Sequence, residues 1–198
     1  MVQKLTKLDA VNIILSNVGQ APVTTIDNDN PMVSMASNIL DEVAESMQSE
    51  GWAFNHENAY PFTPDVNGEI LVAENIIRLD VADTSSELDP VIRQGKLYDK
   101  RAHTYKFDKQ LNLDVTWLLE FEDLPQPAKQ YVAIRAANLF AGRAVGSQEQ
   151  VRFGEREESV ARATLLEYEC NQGDYNILGY RNGRNPLTYR PVQVISRY

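Results

Sequence analysis

The chain has one cysteine, Cys170, and two histidines, His56 and His103, in 198 residues. A single thiol closes no internal disulfide, so the fold must rest on packing, as expected of a protein folded in a reducing cytoplasm. Two histidines and one cysteine fall short of a classical zinc ligand set unless carboxylates complete it, and their positions follow no ligand spacing. No apolar run is long enough to cross a bilayer. Met1 to Thr6 lacks the apolar core of a signal peptide. A soluble product made in the cytoplasm is therefore expected. There is no glycine-rich phosphate loop of Walker or dinucleotide type, and no serine in a nucleophile-elbow setting. Bases are also scarce, with 19 Lys and Arg against 28 Asp and Glu, a net charge of −9. That balance argues against general nucleic-acid binding, which needs positive surface to displace counterions.

What is present is ordinary in bulk and uneven in detail. The 43% hydrophobic and 24% charged residues match globular usage, and the length suits one domain with a real core, perhaps in two lobes. There is no internal repeat and no low-complexity tract. From Gly179 to Tyr198 stand four arginines (Arg181, Arg184, Arg190, Arg197) and no acid, which leaves 15 basic against 28 acidic residues, or −13, on the remainder. An acidic body with a basic tail points to a directed interaction, with a complementary acidic protein surface as the favoured target.

Thr6 with Asp9 forms a capping-box pattern, and Leu8, Val11, Ile14, Leu15 and Val18 recur at helical spacing up to Gly19. A second helix is expected from Asn30 as cap and Pro31 in the first turn, with an apolar stripe of Met32, Met35, Ile39, Val43 and Met47 ending at Gly51. Residues 52–123 read as antiparallel β structure. Trp52 to Phe62 alternates, Ile70 to Val81 is β-branched, and Val91–Arg93 and Lys96–Tyr98 flank a Gln94-Gly95 turn. Tyr105–Phe107 and Val115–Phe121 read as further strands. A third helix is expected from Pro127 to about Val145, with five alanines between Ala128 and Ala141 and little polar face, hence central. A fourth runs from Ser147, capped with Gln150, to about Cys170, and places Glu158 four residues before Arg162. From Gly173 the glycines, prolines and tyrosines suit an extended arm that orders against a partner.

Carboxylates cluster at Asp41, Glu42 and Glu45, at Glu120, Glu122 and Asp123, and at Glu155, Glu157 and Glu158. The first and last groups fall on polar helix faces, and Glu120 and Glu122 are expected on one strand face with Phe121 on the other. Catalysis by a carboxylate pair needs a cleft that the pattern does not reveal. Trp52, Phe54, Trp117 and Phe121 read as core residues rather than a platform for bases, which would need basic neighbours.

Several fragments, in order along the chain, resemble the tail tubular protein A family of short-tailed phages, the upper connector ring of their tails. These are Ala10 to Gly19 followed by Ala21-Pro22-Val23; Gly51-Trp52-Ala53-Phe54-Asn55; Phe121-Glu122-Asp123-Leu124-Pro125; and Glu167-Tyr168-Glu169 leading to Gly173-Asp174-Tyr175-Asn176-Ile177-Leu178. Ala82 to Gln110 and the residues after Gly179 depart from the pattern. Gly19, Pro22, Gly51, Trp52, Leu124, Pro125, Gly173, Tyr175 and Asn176 are the family-like structural positions.

The combined expectation is an α+β protein. A four-helix bundle (1–51 and 124–172) would carry an antiparallel β lobe (52–123) between its second and third helices and an extended C-terminal arm (173–198). The resemblance implies a virion tail component without catalytic task, metal or cofactor. It would form a homo-oligomeric ring, usually twelve-membered, between the portal protein and the nozzle protein (tail tubular protein B), with duplex DNA passing through it without specific binding. Tyr175, Tyr180, Arg181, Arg184, Tyr189, Arg190, Arg197 and Tyr198 would dock the arm on the portal or a neighbouring subunit. Two competing readings are a tail-associated polysaccharide or peptidoglycan hydrolase using Glu122 or Asp123, and an assembly chaperone absent from the virion.

Overall fold

The computed structural model describes residues 4–27, 29–81, 88–144 and 148–172. The chain is α+β, with four helices and two small antiparallel sheets, and divides into two compact units. One comprises the described residues of Met1–Glu50 and Glu120–Tyr198, the other Gly51–Leu119.

In the first unit, helix α1 (Lys7–Asn17) opens on the capping box that its sequence spells. Thr6 Oγ1 accepts the Asp9 N–H at 3.1 Å and Asp9 Oδ2 accepts the Thr6 N–H at 3.0 Å. The helix closes with Gly19 at φ +73°, where the Gly19 N–H reaches the Ser16 carbonyl and the Gln20 N–H that of Leu15. This is the paired closure of a Schellman end, which needs a residue in the left-handed region. Helix α2 (Pro31–Gln48) begins with Asn30 Oδ1 accepting the Met32 N–H at 3.0 Å. Of the expected stripe Ile39, Val43 and Met47 are buried, joined by Val33, Ala36 and Leu40, whereas Met32 and Met35 are only half-buried. The spacing of the buried set follows the helical repeat, and its small members let α2 approach its neighbours closely.

Helix α3 (Gln126–Ala144) touches the other three helices, as its apolar surround predicts. Ala128, Ala133, Ala136, Ala137 and Ala141 are all buried, so their lack of bulk is what permits contact on several sides. Helix α4 (Gln148–Gln172) runs antiparallel to α3, with Glu158 level with Arg135 and Arg162 level with Tyr131. Its expected Ser147 cap lies outside the described residues. Among its described side chains only Ala161 and Leu165 are buried hydrophobics, and Val160 and Leu166 face solvent.

The second unit holds β1 (His56–Phe62), β2 (Ile76–Val81), β3 (Pro90–Arg93), β4 (Lys96–Asp99) and β5 (Leu111–Trp117). One sheet has the order β1–β5–β2 and the other is the β3–β4 hairpin. Gln94 (φ +53°) and Gly95 (φ +69°) form its two-residue turn, both at the positive φ that a type I′ connection requires. Phe62, Ile70, Val72, Ile76, Leu97, Phe107, Leu113 and Val115 make one apolar core. A bulge lies opposite Asp114, where Ala59 takes φ +55° and gives its N–H to Asp114 Oδ1 at 2.9 Å.

Three expected strands are shorter or absent. Ile70 to Asn75 contributes one bridge at Leu71, and regular pairing starts at Ile76. Tyr105–Phe107 forms no ladder; the Phe107 N–H bonds the Gly68 carbonyl at 2.8 Å while its ring enters the core. Strand β5 ends at Trp117, and Phe121–Asp123 is a 3₁₀ turn, so Glu120 and Glu122 do not share a strand face.

Candidate functional site

The arm residues Tyr175, Tyr180, Arg181, Arg184, Tyr189, Arg190, Arg197 and Tyr198, with Gly173 and Asn176, lie outside the described residues. The remaining family-like positions each have a local physical reason. Gly51 takes φ +76°. Trp52, 4% exposed, stacks on Phe54 with ring centroids 6.3 Å apart. Buried Asn55 closes that segment: its Oδ1 accepts the Trp52 N–H at 2.8 Å, and its Nδ2 donates to the Trp117 carbonyl at 2.8 Å. The Trp117 N–H in turn reaches the Asn55 carbonyl. The glycine–tryptophan fragment is thus a turn sewn to the end of β5. Pro22 sits in the loop after α1, where the neighbouring Val23 is held at both N–H and carbonyl by the Asn12 amide at 2.7 and 3.0 Å.

Leu124 is buried, and the Pro125 carbonyl accepts the Lys129 N–H in the first turn of α3. Lys129 is the residue that sequence reasoning missed. Its side chain is 2% exposed, and its ammonium donates to the Glu122 carbonyl at 2.8 Å and the Leu5 carbonyl at 3.2 Å. The Glu122 carboxylate stands 3.7 Å away and also accepts the Lys7 N–H at 2.9 Å. Gln126 Oε1 takes the Leu5 N–H at 3.1 Å. One buried cation and two side-chain acceptors therefore tie the start of α1 to the start of α3. A buried ammonium is tolerated only with such partners. The available signal was a lysine in the first turn of an otherwise apolar helix, where the dipole disfavours positive charge.

This assignment gives Glu122 a local structural part. Its carboxylate is half-exposed and already caps α1. Of the other carboxylates, Glu42 makes a two-point pair with Arg143 at 2.7 and 2.9 Å, which holds its carboxyl below the ordinary range and raises Arg143. Asp41 pairs with Lys7 at 2.7 Å. The expected Glu158–Arg162 partnership along α4 is superseded by contacts between elements. Glu158 takes Arg135 at 2.6 Å and the Asn138 amide at 3.0 Å. Arg162 forks onto Glu50 and lies over the Tyr131 ring, 5.2 Å from its centroid. Gly154 makes the α3–α4 approach feasible, because a Cβ there would stand 1.8 Å from Asn138 Oδ1.

The two histidines are occupied locally. His56 Nδ1 lies 3.2 Å from Thr116 Oγ1 across the sheet, and His103 Nδ1 lies 3.5 Å from the Tyr98 hydroxyl. Among the described residues no three His, Cys, Asp or Glu side chains converge as metal ligands, and no helix is long and apolar enough to cross a membrane. An open groove of about 530 Å³ runs along the first half of α2, lined by Pro31, Ser34, Met35, Asn38, Ile39 and the Glu42–Arg143 pair. It offers apolar contact and hydrogen bonding, and it contains no nucleophile beside a base.

Comparisons with known proteins identify the family. A profile of the family described as tail tubular protein matches residues 8–175. The tail tubular protein A of Klebsiella phage KP34 is 30% identical over 169 residues, covering 85% of this chain and 89% of that relative.

Proposed function

The chain belongs to the tail tubular protein family, a structural component of phage tails, and from that premise we propose that it is a head-to-tail adaptor ring. In this reading twelve copies form a closed ring beneath the portal protein and above the nozzle protein, and the ring continues the channel through which duplex DNA leaves the capsid. The observation that carries the proposal is the family match, which spans both units and reaches the start of the arm.

The physical features support the same assignment. Residues 1–51 and 124–172 act as a helical bundle that builds the ring wall, 52–123 as a docking lobe, and 173–198 as an arm that orders on a partner. Rings of one chain use heterologous interfaces that close on themselves, so distinct faces of each copy must be complementary. A body of −13 lines the passage with negative charge, and DNA, with about one charge per 1.7 Å of axis, slides past without sticking. No step requires a catalytic residue, metal or cofactor.

Mass photometry of the purified full-length chain, alone and mixed with its portal protein, tests the proposal. A discrete large assembly, formed alone or captured by the portal, is expected and gives the copy number. A monomer indifferent to the portal overturns the adaptor reading.

A further inference from the structure

Helix α2 leaves Met35 half-buried at an open groove over the buried Ile39. Met35 and Ile39, one turn apart, line the groove, with Pro31 at one end and the Glu42–Arg143 pair at the other. A volume of about 530 Å³ accommodates one or two aromatic side chains. Methionine suits such a surface because its flexible thioether adapts to the shape of what it meets. Glu45, one turn beyond Glu42, is exposed and has no ion-pair partner among the described residues. The far end of the groove thus carries the Glu42–Arg143 pair, with the Glu45 carboxylate one turn beyond it.

The chain itself contains a segment of matching chemistry. Past Gln172, where α4 ends, 26 residues remain, and their last part holds tyrosine beside arginine three times: Tyr180-Arg181, Tyr189-Arg190 and Arg197-Tyr198. Residues 173–198 have four bases and one acid, whereas residues 1–50 and 120–172 together have 8 bases and 16 acids. Tyrosine fills an apolar groove while keeping its hydroxyl at the rim, and an adjacent arginine meets a carboxylate with a planar fork.

The direction of α4 favours a second copy as the recipient of the arm. The groove lies level with Arg143 at the C-terminal end of α3, whereas α4 runs antiparallel and leaves in the opposite direction. From Arg143 back to Tyr131 is about 18 Å of helix, and from Arg162 on to Gln172 about 15 Å more. Gln172 thus lies about 33 Å along the helices from its own groove, and 26 further residues, fully extended, could span about 86 Å, enough for either that groove or a neighbour's. We propose that the α2 groove receives a tyrosine–arginine pair from the C-terminal arm of a second copy of this chain. The inference deepens the adaptor reading and rests on the self-association that reading requires.

The test uses full-length chains carrying Cys170→Ser, which removes the only, exposed thiol. One population carries Ser34→Cys in the groove and the other Tyr189→Cys in the arm. A third, with Val66→Cys at a fully exposed site of the β unit, is the control. Mixed, assembled and oxidised, the groove and arm chains should form a disulfide-linked heterodimer at least tenfold above the control. Met35→Lys in the groove chain should abolish that excess. Heterodimer no higher than the control, in samples where mass photometry shows assembly, overturns the groove contact and leaves the adaptor reading standing. Absence of any assembly overturns both. A single chain with both Ser34→Cys and Tyr189→Cys that closes as a monomer shows the arm on its own groove and overturns the second-copy assignment.

Discussion

The two units use the same side chains for different ends. In the helical unit four carboxylates meet cations distant in sequence: Glu42 with Arg143, Glu50 with Arg162, Glu158 with Arg135, Asp41 with Lys7. In the β unit several serve as acceptors for backbone amides. Asp65 Oδ1 takes the Asn67 and Glu69 N–H groups at 2.8 and 2.9 Å, Asp99 Oδ1 those of Asp89 and Arg101 at 3.3 and 2.9 Å, and Asp114 that of Ala59. The difference follows from the backbone. Helices satisfy their own interior amides, so their charged side chains are available to neighbours. Short strands joined by turns leave N–H groups over, and an uncompensated buried N–H is costly. The amide acceptors of the helical unit obey the same rule, since Asp9 and Glu122 serve the open start of α1 and Asp27 takes the Asp29 N–H in a loop.

Removing the buried cation that ties the start of α1 to the start of α3 should have the largest effect. Lys129→Ala leaves two carbonyls without a donor and opens a cavity at the base of α3, and a loss of about 3–5 kcal/mol is expected. The measurement is the urea midpoint of the full-length chain at unchanged slope. A shift below about 1 kcal/mol would mean that the ammonium's desolvation already cancels its bonds.

Amide substitutions separate the two uses of acid. Asp99→Ala frees two backbone N–H groups beside a buried position and should cost about 2–3 kcal/mol. Asp99→Asn keeps the accepting oxygen and should restore most of that. In the helical unit Glu50→Gln also keeps an oxygen but loses the charge that Arg162 pairs with, and a loss of about 1–2 kcal/mol is expected. Equal behaviour of the two amide variants would erase the distinction.

Acid provides a test common to both units. Glu42 is held below its ordinary 4.5 by the Arg143 hydrogen bond, Asp65 below 3.8 by the Glu69 and Asn67 amides, and Asp9 below 3.8 by Thr6. A depressed carboxyl stabilises the fold fully above its unfolded value and loses that contribution as pH falls through the folded one. The unfolding midpoint should therefore be flat above about pH 5.5 and decline below about pH 4.5. Glu42→Gln and Asp65→Asn should each flatten part of the decline. A midpoint that rises on acidification would reverse the sign of all three assignments.

What the sequence disclosed was mostly local. Thr6 with Asp9, Asn30 with Pro31, Gly19, and the Gln94-Gly95 turn declare themselves because their hydrogen bonds or dihedrals lie within a few residues. The alanines of α3 declared a crowded helix by composition. What stayed hidden depends on partners distant in sequence. Nothing near Phe121 says that β5 has lost its neighbours by Trp117. The four-residue step from Glu158 to Arg162 looks like an intrahelical pair until α3 brings Arg135 and Tyr131 alongside. Met32 and Met35 look like core until Val33 and Ala36 prove to face inward. The groove arises from that rotation, which is why no motif announced it.

The smallest expected effect concerns backbone alone. Gln94 holds φ +53° in the β3–β4 turn, a conformation that costs a side-chain-bearing residue about 1–2 kcal/mol, and asparagine tolerates it better than glutamine does. Gln94→Asn makes the favoured asparagine–glycine pair for a turn with both central residues at positive φ, without the added chain entropy of a second glycine. It should stabilise the β unit by about 0.5–1 kcal/mol, a rise of roughly 1–4 °C in thermal midpoint for a chain of this size. Hydrogen exchange can localise the gain: the Leu97 N–H, which bonds the Ile70 carbonyl at 2.9 Å, should exchange more slowly while amides of α3 do not change. Slowing in both units would show that they open together, and the separate use of charge in each would then be a local habit within one cooperative structure.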